Sequence, residues 1–181
     1  MDKASEFTFT TPRLSLRPFA SNDWRSLKKI CEKPDVARML AVITVPWPKE
    51  KILAWIANTH GDLQHGFRLA VCLRDGTLIG MVGMGGEPVT CGYFIAKEHW
   101  GKGYATEANR AFFAACFTHF NDLEEIHADH FVDNHASGHV LRKLGFVETG
   151  MGMGDSLARP APEPVVTYRL MRNNFVGGHG G

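Results

Sequence analysis

Two apolar runs, residues 67–73 and 78–84, are separated by Arg74-Asp75-Gly76-Thr77. An Asp-Gly pair tolerates the positive φ of a tight primed turn, so the segment reads as a hairpin of two antiparallel strands. A sheet that contains such a hairpin departs from the strict strand–helix alternation of a doubly wound parallel fold. The rest of the chain is consistent with that. Residues 14–18 alternate apolar and polar like a half-buried first strand. Ser21, Asn22 and Asp23 offer N-caps for a helix to about Cys31, a second helical stretch follows Pro34, and a third starts near Pro48 with Ile52, Trp55 and Ile56 on one face. A strand over 89–96 leads to an apolar helix over 104–118, then a strand over 126–132 and a helix over 134–144. Gly145 ends that helix at the C′ position. Two last strands, 147–151 and 165–171, flank a loop with Pro160, Pro162 and Pro164. The expectation is an α/β (α+β) fold: one domain over residues 1–175 with a mixed, largely antiparallel sheet flanked by helices, and a flexible tail over 176–181.

A chain of 181 residues is long enough to bury a core. Its 20 Lys and Arg against 19 Asp and Glu leave no basic surplus to neutralise a phosphate backbone, which excludes nucleic acid as the expected partner. No apolar run is long enough to span a bilayer, and Met1 to Glu6 hold no apolar leader core, so no membrane association is expected. Cys31, Cys72, Cys91 and Cys116 lie far apart with no CxxC pair, as buried thiols of a reducing compartment do; the cytoplasm is the expected location. His127, His130, His135 and His139 crowd one region. His127 and His130 fall on opposite faces of a strand, and no HExxH glutamate accompanies the helical pair, so no metal site is expected.

The segment Trp100-Gly101-Lys102-Gly103-Tyr104-Ala105-Thr106-Glu107-Ala108 enters a helix without Ser, Asp or Asn to cap it. A helix start offers unpaired amides and a partial positive charge, and glycine lets a ligand approach the main chain. The arrangement suits a phosphate or pyrophosphate, with Lys102 as a mobile cation; a plain glycine turn is the bland reading. The Walker pattern is absent. A dinucleotide fingerprint would need a third glycine near Thr106, although Asp129 stands where a ribose-binding acid could. The second block runs from Asp133 to Phe146; on its own it reads as a helix capped by Asn134 and ended by Gly145.

Taken together, Gly92-Tyr93-Phe94-Ile95, the Trp100 to Ala108 block, Asn134-x-x-Ser137 and Lys143-Leu144-Gly145-Phe146 resemble the acyl-CoA core of the GNAT superfamily of N-acetyltransferases. The nearest likeness is to the branch that acetylates ribosomal-protein N-termini. Thr11-Pro12-Arg13-Leu14-x-Leu16-Arg17 is similar to that branch's first strand, and Trp47-Pro48 with Trp55-Ile56 to its substrate-side helices. The likeness runs from Thr11 to about Leu170. It implies that acetyl-CoA is the co-substrate and that the amides of Gly101, Lys102, Gly103, Tyr104, Ala105 and Thr106 hold its pyrophosphate. It also implies that the strand at Phe94 and Ile95 pairs with the pantetheine arm, and that Asn134 and Ser137 line the thioester end.

Acetyl transfer to an amine needs a neutral amine, a placed thioester, a stabilised oxyanion and a route for protons. A thiolate whose parent pKa is about 8.5 leaves readily enough for direct attack. Backbone amides near Phe94 and Ile95 would serve the thioester carbonyl if they are free of sheet pairing. Ser137 is the candidate acid for the departing sulfur, since relatives that use a tyrosine one helical turn later have Leu141 as their counterpart here; an ordinary first-turn serine is the competing reading. Relatives often carry Glu where this chain has Thr90, which leaves Glu87 as the candidate base, through water, against its reading as a solvated loop acid. Glu107 and Glu98 are assigned to structure. The missing base favours a weakly basic acceptor such as a peptide α-amine. A non-catalytic acyl-CoA sensor is the alternative, resting on Thr90 and Leu141. Residues 36–60 and 152–164 would select the acceptor, and apolar residues on the last strands could support a homodimer.

Overall fold

A computed structural model describes residues 7–59 and 66–177. The elements are β1 (Phe9–Thr10), β2 (Leu14–Arg17), α1 (Trp24–Cys31), α2 (Pro34–Ala37), α3 (Lys49–Ala57), β3 (Phe67–Leu73), β4 (Leu78–Gly85), β5 (Thr90–Ile95), α4 (Tyr104–His119), β6 (Glu125–Phe131), α5 (His135–Lys143), β7 (Val147–Gly154) and β8 (Glu163–Met171). The strands form one sheet in the order β1-β2-β3-β4-β5-β6-β8-β7, in which β5–β6 is parallel and every other neighbouring pair antiparallel. This is the mixed sheet expected from the hairpin. The turn at Asp75 is held as anticipated, the Thr77 amide donating to Asp75 Oδ1 at 2.9 Å.

Strand alternation divides the side chains between two cores. Leu14, Leu16, Leu69, Val71, Val82, Ile95, Ile126, Tyr168 and Leu170 face α4 and α5, where Phe112, Phe113 and Leu141 meet them. Ala70, Cys72, Met81 and Phe94 face the other way, against Leu27, Ile30, Ile52 and Ile56 of α1 and α3. The second core belongs to β3, β4 and β5, so among the described residues no helix of that core reaches the same face of β6, β8 and β7. Among the described residues, no helix is long and apolar enough to cross a membrane.

Two differences from the sequence reading have clear causes. Strand β1 is two residues long and too short to show a period. Strand β7 continues to Gly154, beyond the expected end at 151, because an edge strand needs only one partner and β8 holds it across Gly150, Gly152 and Gly154. Its outer positions Val147, Met151 and Met153 are exposed.

Candidate active site

Strands β5 and β6 are joined at one end only. Thr90 bridges His127, the His127 amide donating to the Val89 carbonyl at 2.8 Å, and beyond that point the two strands have no further registered pair. They diverge toward their C-terminal ends and leave a gap. Main-chain groups alternate sides along a strand, so the Val89 bond fixes the pattern. Tyr93 and Ile95 turn their amides into the gap, whereas Phe94 lies opposite Met81 with its amide turned to β4. Of the two positions expected to serve the thioester carbonyl, Ile95 has the open amide and Phe94 the sheet-paired one. The Ile95 carbonyl accepts from the Trp100 indole Nε1–H at 2.6 Å, which seats the exposed Trp100 ring between the gap and the next loop.

That loop begins α4. Gly101 and Gly103 have φ of 73° and 78°, a conformation glycine adopts without penalty. No side chain caps the helix, and among the described residues the amides of Gly101, Lys102, Gly103, Tyr104, Ala105 and Thr106 donate to no acceptor. Lys102 is exposed and its ammonium meets no acid among the described residues. In place of a cap, a distant residue shapes the turn. The Arg13 guanidinium donates to the Lys102 carbonyl at 2.9 Å and to Glu107 Oε2 at 2.6 Å, and lies 4.6 Å from the Tyr104 ring centroid. The Thr11 hydroxyl adds a 2.6 Å bond to Glu107 Oε1. Burial alone would raise the Glu107 pKa, but the bonds from Thr11 and Arg13 outweigh it and hold it below the ordinary value. Glu107 is thus structural, as expected, through contacts that the sequence reading did not contain.

Helix α5 starts at the end of β6, on the other side of the gap. Asn134 caps it, Oδ1 accepting from the Ser137 amide at 3.3 Å. Ser137 meets an unexpected partner: the Tyr93 hydroxyl, from β5, lies 2.7 Å from Ser137 Oγ and 3.2 Å from its carbonyl oxygen. Burial pushes the Tyr93 phenol well above its usual pKa, with the Ser137 bond acting against that, so the ring stays protonated. Tyr93 therefore spans the gap and offers a neutral hydroxyl where Leu141, fully buried in the core, has none. Glu87 stands apart from this group. It is exposed in the β4–β5 loop, at the end of β5 where the strands are still joined.

The two regions expected to select the acceptor come together. The Leu157 amide donates to the Ala41 carbonyl at 3.0 Å, the Ser156 hydroxyl to the Leu40 carbonyl at 2.7 Å, and Arg159 Nε to the Arg38 carbonyl at 2.8 Å. Between them lies an open hollow of about 570 Å³, lined by Pro34, Arg38, Val45, Leu157, Arg159 and Glu163. Both arginines pair with Asp133, which adjoins the α5 cap.

Comparison with known proteins gives a consistent picture. A model of the acetyltransferase (GNAT) domain matches residues 13–147. A Bacillus subtilis (strain 168) protein with the provisional name ribosomal N-acetyltransferase YdaF is 29% identical over 110 residues, covering 58% of this chain and 60% of that relative's length. Among solved structures, Mycobacterium smegmatis RimJ in complex with CoA-disulfide superposes with a TM-score of 0.75 at 21% identity, covering 88% of this chain and 82% of its own. Spermidine N-acetyltransferase from Vibrio cholerae, in complex with CoA and spermine, gives 0.74 at 21% identity, covering 91% and 98%.

Proposed function

This chain belongs to the GNAT acetyltransferase family, and we propose that it transfers an acetyl group from acetyl-CoA to a primary amine by direct attack. The observation that carries this is the half-open parallel pair: β5 and β6 are bonded at Thr90–His127 and separate where α4 begins with its amides unspent. An extended pantetheine arm has the hydrogen-bonding character of a short strand and fits such a gap. Its pyrophosphate then falls on the Gly101 to Thr106 amides, with Lys102 adding charge.

The chain's own groups divide the chemistry between them. Amides of Tyr93 and Ile95 are turned to where the thioester carbonyl would lie, so they are the donors available to the oxyanion. Ser137, held by its cap and by Tyr93, gives a proton to the departing sulfur and recovers one from water. The sensor alternative rested on Thr90 and Leu141. Tyr93 supplies from β5 the hydroxyl that Leu141 lacks, which supports turnover. The acceptor enters from the hollow between α2 and the 155–163 loop. Peptide N-termini and polyamines are the first to test, because relatives bear the names of enzymes for both.

The test follows release of free CoA thiol from acetyl-CoA in the presence of a tetrapeptide with a free α-amine, spermidine, an aminoglycoside and a free amino acid. Amine-dependent release with at least one of these is expected. Tight acetyl-CoA binding with no release from any of them would return the chain to the sensor reading.

A further inference from the structure

The strand that borders the gap carries an exposed carboxyl with no partner among the described residues. Asp23 is held by Arg17, Asp35 by Lys97, Glu107 by Arg13, and Asp133 by Arg38 and Arg159. Asp129, midway along β6, has neither ion pair nor hydrogen bond among the described residues. It stands two residues beyond the Thr90–His127 bridge, where β6 has left β5. Counting on from that bridge, the residue across the gap is Gly92, where an added Cβ would meet nothing within 4 Å.

Its face is fixed by alternation. Ala128 belongs to the core under α4 and α5, and His130 on that same side stacks on Tyr168 and bonds its hydroxyl. Asp129 therefore points to the opposite face with His127 and Phe131, the face without a packed helix. Phe131 lies under the Arg159 guanidinium, 4.0 Å from its ring centroid, at the rim of the hollow. Two residues of strand separate Phe131 from Asp129, about 7 Å. An amine that enters from the hollow meets Asp129 on its way to a carbonyl held in the gap. Glu87, at the joined end of the strands, is not on that path.

We infer that Asp129 receives the ammonium group of the acceptor and takes its proton, directly or through one water. This rests on the acetyl-transfer reading above and names the proton acceptor which that reading left open. The carboxylate accepts one N–H proton and later passes it to solvent. The freed nitrogen lone pair forms the C–N bond as the carbonyl π pair moves to oxygen. When the oxyanion collapses, the C–S bond breaks, and the proton that nitrogen then sheds balances the one taken up by sulfur by way of Ser137 or water.

The electrostatics agree with an unpaired working group. The Asp129 side chain is exposed on the open face, yet the protein around it displaces enough water to push its pKa above the ordinary aspartate value, and the neighbouring His130 pulls the other way. Cys91 is the titratable group on β5 that senses its charge, Thr167 opposite it on β8 is uncharged, and His127 on its own strand is bonded to Glu125. A carboxyl raised in the folded state binds a proton more readily there than in the unfolded chain. Its charge is then a cost to the fold at neutral pH, absent below the unfolded pKa and present once pH rises past the folded one.

Asp129→Asn, which keeps shape and removes charge, tests the inference with the tetrapeptide and spermidine as acceptors. At pH 7 the kcat/KM for amine should fall roughly 10²–10⁴-fold, the usual contribution of a positioned base. The remaining rate should climb with pH as free amine accumulates. Acetyl-CoA affinity should be unchanged and the melting temperature equal or higher. Asp129→Glu should recover part of the rate. A rate within threefold of wild type with the same pH profile, or a loss of acetyl-CoA affinity to match the loss of rate, would overturn the assignment. Asp129→Ser serves the same comparison if the asparagine variant does not fold. Wild-type protein that binds acetyl-CoA but acetylates none of the four amines named above would remove the transfer reading and this one with it; wild-type turnover with an indifferent Asp129→Asn removes this one alone.

Discussion

Helices α4 and α5 leave the two strands that border the gap, and they begin in opposite ways. Helix α5 is finished locally: Asn134 satisfies the Ser137 amide with its own side chain. Helix α4 is left bare, with two positive-φ glycines and a run of unspent amides, and is held in shape by Arg13 and Thr11 from the far side of the sheet. A capped start is quiet electrostatically and suits a neutral thioester and the hydroxyl that serves it. A bare start keeps its partial charge for an anion. On the proposed function, the same secondary-structure junction, used twice on adjacent strands, separates binding from chemistry.

If that division holds, the two starts should fail in different observables. The largest effect is expected at the capped one. Ser137→Ala should lower kcat by roughly 10²–10⁴ if Ser137 protonates the sulfur, with little change in KM for acetyl-CoA. A loss of two- or threefold would reduce Ser137 to a neighbour of the cap; in both cases circular dichroism must show α5 intact. At the bare start the loss should appear in binding. Gly103→Val places a β-branched residue at φ 78°, with its Cβ 3.4 Å from Arg13 Nη2. Strain of that kind costs on the order of 1–3 kcal/mol, so acetyl-CoA affinity should drop about 10- to 100-fold by calorimetry in a folded protein. Unchanged affinity would take the pyrophosphate away from this loop.

The sequence showed each start but not what stands around it. The Asp75-Gly76 turn, the Gly101 and Gly103 pair, the Asn134 cap and the Gly145 stop are local signals, and the structure has each where it was expected. What could not be read is whatever depends on register. Tyr93 is in the same short motif as Phe94 and Ile95, yet its hydroxyl meets Ser137 across 44 residues of chain. Phe94 and Ile95 looked equivalent until the Val89–His127 bond set which amide faces the gap. Asp129 came up in the sequence only as a ribose ligand of a different fold, because the face it occupies follows from where β6 parts from β5. Arg13 was legible as part of an N-terminal strand motif, and its bonds to Lys102 and Glu107 span 89 and 94 residues.

The smallest expected effect tests that long-range support and depends on pH. Glu107→Gln removes the charge that gathers Thr11 and Arg13 while leaving an amide of nearly the same shape. The Arg13 side chain is 48% exposed, so water screens the pair and its worth is on the order of 1 kcal/mol or less. Acetyl-CoA affinity should weaken by less than about fivefold, the equivalent of that energy, because the loop loses its brace but keeps its amides. Stability gives the sharper reading. The folded Glu107 pKa is depressed below its ordinary 4.5, so its contribution is complete above that value and disappears as pH falls through the folded pKa. The variant should therefore melt below wild type at pH 7, and the two curves should converge in acid once Glu107 is protonated. A gap in melting temperature that persists at pH 2–3 would mean the substitution disturbs packing and not charge. A variant with normal melting but much weaker acetyl-CoA binding would move Glu107 out of the scaffold, and the bare start would then owe its shape to the glycines alone.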